Sequence, residues 1–337
     1  MTGFTESELV AMIRKLLAGE APGVQLGPGD DAALVDLGRH TGILTADMLV
    51  EGVHFTRETI VPHDLGYKAI TVNVSDVAAM GGSPRYALVS LGLPPDVELA
   101  WVVELYGGFR DAAAEYAMSV VGGDTSRADV IVVSVAMTGE VAKGGAVTRA
   151  GARPGDSLVV TGSLGASAAG LLLSQTNPRR TGSALASEHG RALIAAHARP
   201  VARVGEGQTL AQLGATAMID VSDGLTTDLA KLCRESNVGA AVWLDAVPVA
   251  AGLAELGPTI GLDPLELALS GGEDYELLAA LPQGAFERAA DMLRARFGTP
   301  LTDIGEIREG ACLVAVEADG SEGRLAGEGW DHFGSPT

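Results

Sequence analysis

The chain of 337 residues carries 23 Lys and Arg against 43 Asp and Glu, a formal net charge of −20 at pH 7. That excess of acid excludes nucleic acid as the main partner and argues against docking on anionic lipid, since both select for Lys and Arg. With 47% hydrophobic residues, the length fits a globular protein of about two domains.

In chain order, Thr5–Leu17 reads as a helix opened by a Thr5/Glu8 capping box, with Leu9, Ile13, Leu16 and Leu17 on one face. The glycine turn GPGDDAAL follows, then a strand over Gly42–Ala46 that delivers Asp47. Asp64–Met80 is a long, mostly apolar helix containing Asn73-Val74-Ser75-Asp76. A strand over Tyr86–Leu93 and a helix over Asp96–Met118 come next, and Ser119–Val121 leads into Gly122-Gly123-Asp124. Val130–Val141 is an apolar strand. The basic, turn-rich stretch Thr148–Asp156 is the best boundary, giving expected domains 1–147 and 148–337.

Beyond it, Leu158–Thr161 is a strand and Gly162–Gly165 opens a helix. Helices are expected over 186–197 and 201–213, then a strand over Ala217–Ile219 ending in Asp220-Val221-Ser222-Asp223-Gly224. A helix over 225–236 and strands near 240–244, 275–281 and 302–316 complete the pattern. Helices and strands alternate in both halves, so the expected fold class is mixed αβ. Asn73–Asp76 echoes Asp220–Asp223, a four-residue likeness that chance also produces.

Cys233 and Cys312 lie 79 positions apart with no metal-type spacing, and read as two buried thiols in a reducing cytosol. The first residues lack a basic segment ahead of an apolar run, and no window holds 18 uncharged apolar residues. A soluble cytoplasmic protein is expected.

The usual phosphate cradles are missing: no G-x-x-x-x-G-K-[ST], no G-x-G-x-x-G, no H-R-D string. Instead, carboxylates recur after apolar segments beside small residues: Asp30-Asp31, Asp47, Asp76, Asp124, Asp220 and Asp223. Each alone reads equally as a turn. Gathered together they would repel, and Mg²⁺, which takes a few carboxylates and substrate phosphates as ligands, would remove that repulsion. Gly271–Glu276 adds an acidic cluster, either a solvated turn or a site. Gly329–Phe333 is an aromatic cluster in a chain with only 4% aromatics, and reads as terminal packing or a ring-binding site. His54 and Arg149 each allow a structural reading beside a functional one.

These strings together resemble the thiamine-monophosphate kinase family, in the superfamily of aminoimidazole-ribonucleotide synthetase, selenophosphate synthetase and a hydrogenase-maturation protein. GDDAA (29–33), TADMLVEGVHF (45–55), YKAITVNVSDVAAMGG (67–82), VVGGDTS (120–126), TRAGARPGD (148–156), IDVSDGL (219–225), SGGEDYEL (270–277) and GWDHF (329–333) carry the likeness. The resemblance implies a two-domain aminoimidazole-ribonucleotide synthetase-like fold whose N-terminal domains pair their sheets in a homodimer, with ATP between the N- and C-terminal domains. It implies phosphorylation of thiamine monophosphate by ATP on several Mg²⁺ ions, the last step to thiamine diphosphate. No dedicated acid–base residue is implied; Asp47, Asp76 and Arg149 would stabilise charge. By motif position, Asp31, Thr45, Asp47, Asp76, Asp124, Asp220 and Asp223 would ligate metal. Tyr106, Gly123, Asp124, Arg149 and Ser222 would hold the nucleotide, and His54, Glu273 and Trp330 the thiamine monophosphate.

In one place the sequence departs from that family. Members usually carry a second hydroxyl residue before the aspartate matching Asp47, where this chain has Ala46. Only a main-chain carbonyl is available to ligate at position 46. Two rival readings are another ATP-using enzyme of the superfamily and a non-catalytic Mg²⁺/nucleotide regulator. The selenophosphate reading lacks its N-terminal Cys, and GWDHF and SGGEDYEL point away from the synthetase.

Overall fold

Two sheets organise the chain, seen in a computed structural model that describes residues 5–16, 22–175 and 187–325. The first helix, α1 (Glu6–Leu16), has the expected capping box: the Thr5 hydroxyl accepts from the Glu8 N–H at 3.3 Å, and the Glu8 carboxylate accepts from the Thr5 N–H at 2.8 Å.

The first sheet holds β1 (Val24–Leu26), β2 (Ala33–Asp36), β3 (His40–Val50), β4 (Ser83–Leu93), β5 (Ser119–Arg127) and β6 (Val132–Ala142). Their spatial order is β1-β2-β3-β6-β4-β5. Only β4 and β5 run parallel, because the helix α3 (Leu99–Glu115) carries the chain back across the sheet between them. On β6, Val133, Val135 and Met137 are buried while the alternate residues Ala136 and Thr138 are exposed. That two-residue period marks a sheet covered on one face. The cover is α2 (Pro62–Ala79) and α3, whose apolar residues form one core with the strands.

Helix α2 is more than a cover. Nearly every residue from Leu65 to Ser75 is buried, polar ones included, because the second half of the chain packs on its other side.

That second half is a sheet in the order β13-β12-β9-β11-β7-β10-β8. Its strands are β7 (Ser157–Thr161), β8 (Ala217–Asp220), β9 (Gly239–Trp243), β10 (Leu277–Leu281), β11 (Leu301–Arg308), β12 (Leu313–Val316) and β13 (Glu322–Arg324). All pairs are antiparallel except β9 with β12. Helices α4 (Ala166–Gln175), α5 (Glu188–Ala198), α6 (Val204–Gln212), α7 (Leu225–Ser236), α8 (Ala251–Ile260), α9 (Pro264–Ser270) and α10 (Phe286–Phe297) pack around it. Alternate residues of β7 enter different cores, Leu158 and Val160 one and Val159 the other, so the central strands are apolar throughout. Among the described residues, no helix is long and apolar enough to cross a membrane.

The mixed αβ reading with two sheet-based halves holds. Four local readings change. Of the two thiols expected to be buried, Cys233 is and Cys312 is exposed. Asp47 lies inside β3, which runs on to Val50. Gly122-Gly123-Asp124 is extended strand within β5, where a glycine turn was expected. The stretch 302–316 is two strands, β11 and β12, separated by a turn.

Helices α2 and α3 cross where Gly66 sits, and a Cβ there would lie 2.1 Å from the Leu105 carbonyl oxygen. Gly66→Ala should therefore force the helices apart and lower unfolding free energy by about 2 kcal/mol or more, read from urea denaturation.

Candidate functional site

Asp31, Asp76 and Asp220 each place a carboxylate oxygen within 4.8 Å of the other two. They come from three elements: the loop before β2, the last turn of α2, and the end of β8. The two echoing tetrads thus meet in space, since the Ser75 hydroxyl donates to Asp220 Oδ2 at 2.5 Å. One tetrad is helical and the other leaves a strand, so this is contact between unlike segments and not a structural repeat.

The cluster is short of positive charge. Burial, together with the neighbouring carboxylates, pushes Asp76 and Asp220 well above the ordinary carboxylate range. Burial likewise lifts Asp47 to about 6, although a hydrogen bond with Asp76 works the other way. The Thr45 hydroxyl also donates to Asp76. Asp47 is fixed from its backbone, its N–H donating to Asn73 Oδ1 at 3.1 Å.

Among the described residues, Arg149 is the guanidinium that pairs with this group. Its Nη2 donates to Asp31 Oδ1 at 2.8 Å and its Nε to Oδ2 at 3.3 Å, a two-pronged pair that raises its already high pKa. Its own N–H donates to Asp30 at 3.0 Å, and burial beside Asp31 lifts Asp30 to about 6.

The loop after β8 is stiffened from below. Buried Asp228, on the first turn of α7, accepts the N–H groups of Ser222 (3.0 Å) and Asp223 (2.9 Å). Lys231 pairs with both Asp228 and Asp223.

The Gly271–Glu276 cluster runs alongside, with the Glu273 N–H donating to the Ser222 carbonyl at 2.7 Å and the Tyr275 N–H to Val221 at 2.9 Å. Its acids go to different places. Glu273 pairs with Lys68 at 2.9 Å and His197 at 3.2 Å. Asp274 accepts from the backbone N–H of Gly165 (2.6 Å) and Ser167 (3.2 Å) at the start of α4. Glu276 takes the Arg203 fork and the Thr161 hydroxyl. The cluster is not a solvated turn.

Tyr106, Gly123 and Asp124 lie elsewhere, along an open groove of about 760 Å³ between α3 and β5 that Phe109 and Arg110 also line. Gly123 lets β5 press flat on β4, because a Cβ there would sit 1.7 Å from the Val89 carbonyl oxygen. Asp124 is exposed and pairs with Ser90, which pairs with Ser134, which pairs with Met48. Three strand spacings separate it from β3, roughly 14 Å. Within one chain, then, Asp124 stands apart from Asp31, Asp76 and Asp220. His54 sits in the turn after β3, its Nδ1 accepting from the Val50 N–H at 3.0 Å. Trp330, with the rest of GWDHF, lies outside the described residues.

Lys68, His197, Asp228 and Lys231 were not among the expected site residues. Lys68 had a visible signal, a lone cation in an otherwise apolar helix, which has to find a partner once buried. His197 has meaning only through its long-range neighbour Glu273, whereas Asp228 and Lys231 sit within eight positions of the loop they stiffen.

Residues 29–141 match the family model for "AIR synthase related protein, N-terminal domain", and 153–316 that for the C-terminal domain. A thiamine-monophosphate kinase of Escherichia coli O157:H7 is 39% identical over 317 residues, covering 93% of each chain. Another, of Aquifex aeolicus (strain VF5), is 38% identical over 328 residues, covering 97% of this chain and 98% of its own. The solved structure "AaThiL complexed with AMPPCP and TMP" matches with a TM-score of 0.85 at 36% identity, covering 99% of this chain and 98% of the other.

Asp274 gives a test of the site's electrostatics. Burial raises it to about 7, against the pull of the backbone donors at Gly165, Ser167 and Ala166. A carboxyl with a raised folded pKa stabilises the fold at low pH, and that contribution is lost as pH rises through 7. Asp274→Asn cannot titrate. Its stability relative to the parent should improve by roughly 2–4 kcal/mol between pH 4 and pH 7, beyond a constant offset for the lost acceptor; denaturation across that window reads it.

Proposed function

The chain belongs to the thiamine-monophosphate kinase family of AIR synthase related proteins, and on that footing we infer that it transfers the γ-phosphoryl group of ATP to thiamine monophosphate, yielding thiamine diphosphate and ADP. The observation that carries this is the Asp31–Asp76–Asp220 cluster, set where the two halves meet, in a chain so similar to a structure holding AMPPCP and TMP.

The donor set fits Mg²⁺. Three hard oxygen donors converge, and without a counter-cation two of them resist ionisation. Asp31, Asp76 and Asp220 would hold it directly. We propose Thr45, Asp47 and Asp223 as the flanking ligands, from their places around that trio. When bound, the cation offsets the charge of the two phosphates that must approach each other.

The acceptor is a phosphate monoester with a second pKa near 6. It is mostly dianionic at neutral pH, so the chain has no proton to remove, and its work is placement and neutralisation. Arg149, charged at any working pH, is set to meet the nucleotide phosphates beside Ser222. Tyr106, Gly123 and Asp124 offer the groove for the rest of the nucleotide. Glu273, His54 and Trp330 take the thiamine end, where an aromatic face would suit a cationic thiazolium. The functional division follows the basic stretch only in part: 1–147 carries most of the metal and phosphate groups with His54 and Tyr106, and 148–337 adds Asp220 and Asp223 to the metal set, Arg149 and Ser222 to the nucleotide, and Glu273 and Trp330 to the thiamine end.

A homodimer is part of this reading. The uncovered face and free edge of the first sheet expose Leu44, Met48, Tyr86, Leu88 and Val121. An apolar patch on so acidic a chain calls for a partner. A second copy there would also offer its cluster to the groove that holds Asp124, which one chain keeps far from its own.

Asp76→Asn should lower kcat by about 10²-fold or more. Its melting temperature without Mg²⁺ should stay level or rise, since a repelling carboxylate is gone. A coupled assay with thiamine as the control acceptor reads the first; near-parental turnover at saturating Mg²⁺ would overturn the assignment. Leu88→Glu should convert a dimer to a monomer in light scattering, and a monomeric parent would refute the dimer.

A further inference from the structure

We propose that Lys68 and His197 are positioning residues for thiamine monophosphate, clamping one oxygen of Glu273 so that its other oxygen is aimed at a hydrogen-bond donor of the ligand. The inference rests on the kinase reading above and deepens one subsite of it.

Two helices converge on a single atom of a third segment. Lys68 Nζ, from the middle of α2, lies 2.9 Å from Glu273 Oε2, and His197 Nδ1, from the last turn of α5, lies 3.2 Å from the same oxygen. Among the described residues, Glu273 Oε1 makes no hydrogen bond or ion pair, both contacts falling on Oε2. The two clamping side chains are sealed, at 1% and 2% exposure, while the Glu273 side chain keeps 24%. The free oxygen therefore belongs to the part of the group that still meets solvent.

The clamp does not hold the loop. Main-chain bonds to Val221 and Ser222 do that, with Asp274 on the start of α4 and Glu276 on Arg203. Glu273 is the one acid of the cluster with a side chain that anchors nothing but the clamp. Its backbone is itself in the left-handed region, at φ 65°, a conformation seldom kept by a residue with a side chain unless something demands it. A buried Lys–Glu pair is also a poor way to gain stability, since apolar groups of similar volume commonly do as well.

The charge state says what the site recognises. Burial and the nearby Lys68 ammonium push His197 below its ordinary value, so the ring is neutral. Its Nδ1 lies 3.2 Å from Glu273 Oε2 and 3.1 Å from the Ser167 hydroxyl, and among the described residues Nε2 is buried without a partner. Burial opposes the Glu273 carboxylate, yet Lys68 and His197 hold it down at about 2. The trio is one ammonium and one carboxylate, neutral in sum. It suits an uncharged N–H donor, such as a ring amine of the substrate, better than a cation.

The test is steady-state kinetics with calorimetric binding of thiamine monophosphate. Lys68→Met should raise the KM for thiamine monophosphate by about tenfold or more, as expected for a misplaced charge-assisted hydrogen bond. The KM for ATP and kcat should move by less than about threefold. His197→Gln, which keeps an N–H donor, should retain much of the parental KM. Lys68→Met/Glu273→Gln removes both charges together. It should recover the melting temperature lost in Lys68→Met without recovering the KM, and it serves alone if Lys68→Met does not fold. A double variant with parental KM, or a folded Lys68→Met with parental KM, would reduce the clamp to a structural pair and overturn the proposal. If the parent binds thiamine monophosphate but does not phosphorylate it, the kinase reading fails while the same variants still decide the clamp by binding. A parent that does neither overturns both.

Discussion

A helix buried on every side cannot leave its polar groups to water. That constraint on α2 organises the molecule, because Lys68, Asn73 and Ser75 lie inside it at or near full burial. Each must find a partner in a neighbouring element or leave a polar group stranded at considerable cost. Asn73 takes the backbone of β3 at Asp47, Ser75 takes Asp220 at the end of β8, and Lys68 takes Glu273. The bonds that satisfy the helix are the bonds that aim the site.

This accounts for how the carboxylates can gather at all. Asp31, Asp76 and Asp220 repel one another, and no local preference would bring a loop, a helix end and a strand end together around like charges. The apolar packing of both halves against α2 supplies the driving force, and the cluster bears the strain as raised pKa values. A site of this kind is preorganised for charge it does not contain. An acidic chain of net charge −20 can thereby accommodate phosphate, through a cation shared between protein and substrate.

Much of this was legible in residues. The capping box at Thr5 and Glu8, the long helix that contains Asp76, and the strand ending at Asp220 are local signals, set by backbone geometry and periodicity. The carboxylate series was legible because Asp beside small residues at the end of apolar runs is unusual in repetition. Other features were misread for a physical reason. Gly122-Gly123-Asp124 carries turn chemistry, but pairing along β4 overrides local preference and makes it strand. The cluster Glu273–Glu276 looks like a solvated acidic turn because its cations, Lys68 and Arg203, stand some 205 and 73 positions away.

The sequence by itself determined the alternation of helices and strands, the two-sheet division and the family, since these rest on short-range patterns and on strings of residues in fixed order. Only the tertiary structure decided which carboxylates act together. It joined Asp31, Asp76 and Asp220, kept Asp124 three strands away, and placed a buried lysine and histidine behind Glu273. Charge interactions depend on distance and burial, and neither quantity exists until packing has brought remote segments together and excluded the water between them.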